Sequence, residues 1–551
     1  MLGGGVAGLA AALALGRDGH RVTVLDRDDR GVGEPLAALH WDRGGVPHFQ
    51  QPHAFTPRGR KELLTTFPDV YEALLAAGGW DLDLRSRIRG RETRPDDADL
   101  AFLAARRPLI EWALRRAVVA QPNVALRGGT RAVGLDAVTG NGTGEVGPHV
   151  HGVKTGDGTI PADLVVDAMG RRTPSPGWIQ AIGGRPMPRR SNECSILYYS
   201  RYYRVRDGQA LPEGPWLPGP RGDLGYGAFS TFPGDNRTFA ALLAFPPGDR
   251  ALKSIRHAPA FQAAVGTIPA LDSWTNEETS EPITDVLPMG SLQNTIREFA
   301  DGRAPAGGLV CVGDAVIHTD PVLAMGLAFA LIHARLLAQA VREADADTAT
   351  VPYAFEALAR PEMEERFAYV TAIDDTRTRL WAGESIDVMH ADGGAYPFFT
   401  YGLAGVASLA EGELARALVR RNQFLDPLSV LDYDATLLAE LEALWARLRA
   451  PGRPRPRRLS STGPRPLGAG RRARHPCAHR AGGRHVTADS GAPRLRDRRL
   501  DRLPARSPRD RGRLAAHERG DPHASRSKIS CSSENGGVWT RSRPAGASPA
   551  A

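Results

Sequence analysis

Gly3, Gly4, Gly5, Val6, Ala7 and Gly8 stand near the start of the chain in the spacing GxGxxG, and that spacing handles phosphates. Gly3 suits a tight turn, Gly5 leaves the backbone bare enough for a pyrophosphate to approach, and Gly8 lets the next segment pack close. Val6 and Ala7 open an apolar run, LAAALAL, read as a helix whose positive end points at the phosphates. A second run, RVTVLDRD, reads as a strand ending at Asp26 and Arg27. Asp26 lies eighteen residues past Gly8, close to the ~20 expected of an acid that binds a ribose. Only Met1 and Leu2 precede the loop, where a first strand is expected. The sequence therefore predicts a start assigned too late, in preference to a fold that loses a central strand and leaves backbone groups unpaired.

Two later segments carry residues of the same kind. Arg107 is the second residue of RRPLIE, where Leu109, Trp112, Ala113 and Arg116 follow at helical spacing until Pro122. In VGDAVIHTDPVLAMG, Gly313 and Asp314 end a strand, Pro321 bends a loop, and Gly326 opens a helix. The elements between them predict an α/β protein with an α+β insertion. A Rossmann-type nucleotide domain is expected over 1–184 and 301–345, interrupted by a substrate-side antiparallel sheet over 185–300. A helical stretch is expected near Lys61 to Ala77, and residues 346–450 carry helical periodicity, as in YAFEALARPEMEERFAYV. Tyr198, Tyr199, Tyr202 and Tyr203 share one alternating strand, so at most one pair faces a substrate and core packing claims the rest.

The chain has 551 residues and a formal charge of +8, which would suit a nucleic-acid partner. Its distribution argues against one. Residues 451–551 hold 24 Lys and Arg against 7 Asp and Glu, so the preceding 450 residues are net acidic. The tail has no apolar period and is predicted to be disordered; a nucleic-acid arm is one reading, out-of-frame or read-through translation the favoured one. Either places function upstream, with no nucleic acid bound by the folded body. Cys194, Cys311, Cys477 and Cys531 show no metal spacing, which predicts a reduced, cytoplasmic setting and no metal. The long apolar run LAMGLAFALIHARLLAQAV is cut by His333 and Arg335, so no membrane span is expected.

The phosphate loop with Asp26, Arg107 in its RxxLE context, and the GD segment together resemble the FAD-dependent group A flavin monooxygenases, the superfamily with the p-hydroxybenzoate hydroxylase fold, over about residues 1–445. The resemblance implies FAD on Gly3, Gly5, Val6, Ala7, Gly8, Asp26 and Arg27, Asp314 accepting from the ribityl chain, and the helix after Pro321 aimed at the flavin's pyrimidine edge. Arg107 matches an arginine that reaches the cofactor; a solvated helix-start charge is the competing reading. The loop RGGVPHFQQPH looks like an RxGVPQxxxxH element of actinobacterial members, including epoxidase relatives, which puts Arg43 and His53 near the cofactor. His53 is the one catalytic candidate, with a packed loop histidine as its alternative, and His48 stands where glutamine is usual.

The pattern is broken at three places: Met169 replaces the aspartate before Gly170, His318 falls one position late, and Ala324 replaces the first glycine of PxxGxG. These leave FAD binding in place and put direct reduction by NAD(P)H in question, so a partner flavin reductase is a second electron source. The halogenase signature WxWxIP is absent. The resemblance implies a monooxygenase that inserts oxygen from O2, through a flavin C4a-hydroperoxide, into an apolar or aromatic small molecule by hydroxylation or epoxidation. A flavin-dependent alkene reductase or dehydrogenase, and an inactive flavin-binding protein, are the alternatives.

Overall fold

A computed structural model describes residues 1–449 except 30–32, 39, 54, 86–93, 139–146, 213–218, 385–409 and 432–433. The chain divides into two units, Met1–Leu467 and Gly468–Ala551, and every described residue belongs to the first. The basic tail of 451–551 lies outside the described residues.

The helix Val6–Arg17 is apolar around its whole circumference, and Gly8 through Gly16 are all buried. Such a helix needs cover on every side. A parallel sheet covers one face and the helix Met325–Glu343 the other. In that sheet Val22–Leu25 pairs in parallel with Val124–Arg127, and Val165–Asp167 with Leu309–Cys311. Leu2 joins the two pairs by parallel bridges to Leu25 and Asp167. Leu2 N donates to Val166 O at 2.8 Å, Gly3 N to Leu25 O at 2.8 Å, and Ala168 N to Leu2 O at 2.8 Å. Met1–Gly3 thus occupy the centre of the sheet, paired on both sides.

The six-stranded second sheet runs Arg221–Asp223, Ala228–Pro233, Thr238–Phe245, Leu197–Val205, Ser280–Pro282, with Leu287–Met289 also pairing Leu197–Val205; every pairing is antiparallel. Side chains alternate between its faces. Tyr199, Tyr203, Phe239, Leu243 and Phe245 point one way, into a core closed by Phe261, Leu271 and Trp274 of the helices Ala258–Gly266 and Pro269–Thr275. The other face carries Tyr198, Leu242, Ala244, Ala228, Ser230 and Phe232 in register, because Tyr198 pairs Ala244 and Ala228 pairs Ala244.

The helical stretch expected near Lys61 to Ala77 is made of two helices, Pro57–Thr66 and Pro68–Ala76. Pro68 lacks the N–H that continuation would need and starts the second one instead. The helical C-terminal part comprises Val351–Trp381, Gly412–Asn422 and Ala435–Arg449. Among the described residues, no helix is long and apolar enough to cross a membrane.

Candidate functional site

The glycine loop is shaped by what a side chain would strike. A Cβ on Gly3, which sits at φ +100°, would lie 2.6 Å from Ala168 O, and one on Gly8 only 1.9 Å from Gly3 O. Strand and helix therefore touch through bare backbone. Gly5 differs: its Cβ would face open space, with Arg107 Nη2 nearest at 3.8 Å. The helix Val6–Arg17 has no side-chain cap at Gly5 and no acid in its first turn. Its first amides and the positive end of its dipole are left for an anion beneath the Arg107 guanidinium.

A second helix end is built the same way. Met325–Glu343 starts after Ala324 with no side-chain cap and no acid in its first turn. Gly313, at φ +59°, packs against Ala7, and a Cβ on Gly326 would lie 4.0 Å from Asp314 Oδ1. The Pro321–Leu323 turn leads into this helix. Two uncapped N-termini and an arginine thus share one cradle, an arrangement that fits a dinucleotide with an anionic pyrophosphate.

Buried charges brace the cradle. Asp26 Oδ2 accepts from Arg43 Nη2 at 2.5 Å and from Arg115 Nη2 at 2.6 Å. Arg43 also donates to Gly4 O at 2.9 Å and Glu111 Oε2 at 2.5 Å, while Arg107 Nε donates to Glu111 Oε1 at 2.8 Å. The acid at the strand end is held by two guanidiniums, and Gly4 is bare because a Cβ there would lie 2.3 Å from Asp26 Oδ2. Arg27 lies apart from this ladder and donates to Gly45 O. Gly4, Glu111 and Arg115 were not singled out from the sequence. The spacing of 107, 111 and 115 carries the signal, since residues four apart share a helix face.

The histidines gather beside Arg107. His53 Nδ1 donates to Gln51 O at 2.7 Å, since a carbonyl only accepts, and its Nε2 faces Arg107 Nη1 at 3.4 Å. Burial, then the Arg107 charge, push the His53 pKa down to about 3. The candidate catalytic histidine is therefore neutral, with its lone pair turned to Arg107. His48 stacks on it at 5.8 Å and is held well below its ordinary value by burial, Arg107 and His53. Burial would raise the Asp314 carboxyl, but His318 at 3.2 Å, with His48 and Arg107, holds it well below the usual carboxylate range.

A cleft of about 850 Å³, its mouth included, opens on the free face of the antiparallel sheet. Leu242, Ala244, Phe232 and Met289 line it; Pro52 and Pro321, next to His53 and in the proline turn, form part of its wall. Of the four tyrosines only Tyr198 lines it. Tyr198 Oη donates to Asp320 Oδ1 at 2.5 Å, and Asp320 Oδ2 accepts from Arg377 Nη1 at 2.9 Å. Arg377 also lies 2.8 Å from Asp374, whose other oxygen accepts from Asn294 Nδ2 at 2.6 Å. At the edge strand, Asp223 accepts from Trp381 Nε1 at 2.9 Å. This network behind Pro321 was not foreseen from the sequence.

Asp167, two residues before Met169, does not reach outward. Its carboxylate accepts from Met169 N at 2.9 Å and Thr173 Oγ1 at 2.5 Å. Cys194 and Cys311 are both free and buried.

Residues 2–67 match the family model described as an NAD(P)-binding Rossmann-like domain. Protein Rv3254 of Mycobacterium tuberculosis is 29% identical over 228 residues, 38% of this chain and 45% of that protein. The match thus spans less than half the length of that curated relative. Among solved structures, the flavin-dependent brominase Bmp2 superposes with a TM-score of 0.51 at 17% identity, over 81% of this chain and 98% of that one. PqsL of Pseudomonas aeruginosa, described as a probable FAD-dependent monooxygenase, gives 0.48 at 18% identity, over 69% and 97%. At such identity the likeness to Bmp2 speaks to the fold, which is an α/β fold with a Rossmann-like nucleotide domain.

Proposed function

We propose that the chain is an FAD-dependent monooxygenase that inserts one atom of O2 into an apolar or aromatic small molecule. The observation that carries this reading is the cradle itself: two uncapped helix N-termini and Arg107 around the open face of Gly5, bordered by Pro321, which also lines the sheet cleft. FAD supplies the activation of O2 when bound and reduced. The protein's part is to bind, orient and shelter. Gly3, Gly5, Val6, Ala7 and Gly8 receive the pyrophosphate, Arg107 neutralises it, and Asp26, braced by Arg43 and Arg115, faces the adenosine end. Gly313, Asp314, Pro321 and Gly326 receive the flavin end, where the dipole of Met325–Glu343 favours negative charge.

His53, neutral and engaged by Arg107, serves to position that arginine. The cleft wall of Leu242, Phe232 and Met289 supports an apolar or aromatic substrate. With Asp167 turned inward at the Met169 position, the electron source is NAD(P)H acting slowly or a partner flavin reductase. The cell compartment that suits such chemistry, and two free buried cysteines, is the cytoplasm. A halogenating role is not favoured: outside the tail only Lys61, Lys154 and Lys253 exist, and none of them lines the cleft.

Two measurements test the reading. The protein is expected to purify with, or take up, stoichiometric FAD; a folded protein with no flavin absorbance after FAD addition ends the proposal. Photoreduced protein mixed with O2 is expected to pass through a transient spectrum distinct from oxidised FAD and, without substrate, to release H2O2. Anaerobic saturation of an alkene, with no transient and no acceleration over free flavin, would instead establish a reductase.

A further inference from the structure

The sequence assigns His318 no role, and the structure places it at the flavin end of the cradle. It belongs to the short strand Ile317–His318, which pairs with Gln293–Arg297 through Thr295 opposite His318. That pairing fixes its backbone, and its ring is fixed from below: His318 Nδ1 lies 3.2 Å from Asp314 Oδ2. A carboxylate accepts, so Nδ1 carries a proton, and on the neutral ring Nε2 is then the free acceptor. That Nε2 is buried and has no hydrogen-bond partner among the described residues. His318 itself is only 9% exposed.

The neighbouring histidines differ. His53 has both ring nitrogens engaged. His333 Nε2 is likewise buried without a partner among the described residues, but its Nδ1 accepts from Gly313 N at 2.9 Å, so on the neutral ring Nε2 carries the proton, and it sits beside the rings of Phe329 and Phe355 at 5.5 and 5.4 Å. His318 alone of the three joins an open acceptor to a carboxylate that also faces Gly326 at the uncapped helix end.

We infer that His318 Nε2 is a second acceptor for the polyol chain of the flavin, taking one ribityl hydroxyl beside the one that the resemblance already gives to Asp314. This rests on the proposed FAD reading. A buried acceptor left unpaired is costly, and a ligand hydroxyl supplies the donor that the protein lacks. The consequence is selectivity along the dinucleotide: His318 acts on its flavin half and not on its ADP half.

The test compares FAD with ADP-ribose, which shares the pyrophosphate and adenosine but has no ribityl chain. Dissociation constants are measured by fluorescence or calorimetry on the full chain for wild type, His318→Ala, His318→Gln, Asp314→Ala and the double variant. His318→Ala is expected to weaken FAD about tenfold, the loss of one buried hydrogen bond, with ADP-ribose unchanged within about twofold. His318→Gln, which keeps an acceptor, is expected to recover most of the loss. In the Asp314→Ala background His318→Ala is expected to weaken FAD further; no further loss would make His318 a mere support for Asp314 and overturn the direct contact. Unchanged FAD affinity, or equal weakening of FAD and ADP-ribose, also overturns it. Wild-type protein that binds ADP-ribose and refuses FAD would sink the flavin reading itself, and this inference with it.

Discussion

The two loops of the cradle each lead into an uncapped helix N-terminus, and they are held by opposite means. The loop at Gly3–Gly8 is held by contact: backbone meets backbone at Gly3 and Gly8, and no added atom fits. The loop from Gly313 to Gly326 is held by charge and hydrogen bonds. Asp320, next to Pro321, is fully buried against Arg377, with Tyr198, Asn294 and Asp374 around the pair. The first should therefore fail when a methyl group is added, and the second when a charge is removed. Tyr198 lines the cleft while Asp320 lies in the loop, so one hydrogen bond ties the cleft wall to that loop.

The sharpest break falls on the charged loop. Arg377→Met leaves the Asp320 carboxylate buried without its cation, and breaking such a pair typically costs about 3 to 5 kcal/mol. The urea midpoint is expected to fall accordingly, with tyrosine environment and cleft altered together. A midpoint within error of wild type would mean that the pair does not hold the loop. On the contact loop, Gly8→Ala places a methyl group 1.9 Å from Gly3 O. Backbone on both sides leaves nothing flexible to move, so a loss of about 1 to 3 kcal/mol is expected, with FAD uptake reduced. Full stability and full uptake in that variant would show that helix and strand can separate freely.

The two loops were unequally legible for the same physical reason. Contact-limited positions demand glycine, and glycine is visible in a sequence; Gly3, Gly5 and Gly8 announce themselves. The buried ion pairs demand only that charges meet in space. Tyr198, Asp320 and Arg377 are separated by many residues and share no spacing, so nothing in the chain links them. Glu111 and Arg115 lie between these cases, since their helical spacing from Arg107 is readable but does not say that they meet Arg43 and Asp26. His318 and Asp314 are four apart, yet the segment between them is a turn and a strand rather than a helix, so spacing alone could not pair them.

Proton uptake gives a gentler probe of the charged loop. One guanidinium serves two carboxyls, and Asp374 is pushed up to about 9 by burial and then by Asp320, against the lowering pull of Arg377. Its folded value thus exceeds the ordinary 3.8. A carboxyl shifted this way favours folding fully below the unfolded pKa, and that contribution is lost as pH rises toward the folded one. Asp374→Asn keeps a donor toward Asp320 and cannot ionise. Its melting temperature relative to wild type is expected to climb between pH 4 and about 9 and then level off. A difference that stays flat across this window would place the buried proton elsewhere.

The smallest effect expected lies where the two loops could have been alike. Ala324 precedes the helix Met325–Glu343 at φ +53°, in the left-handed region. An L-residue there pays roughly 1 to 2 kcal/mol that glycine avoids. Ala324→Gly removes that strain but gives the unfolded chain more freedom, worth about 0.4 to 1 kcal/mol in the opposite direction. The net expectation is a gain of about 0.5 to 1 kcal/mol, read from paired denaturation curves. Contact does not govern this loop, so FAD affinity should stay within about twofold. A loss of stability would mean that the Ala324 methyl group packs in a way that repays its strain, and the second loop would then be held partly by contact after all.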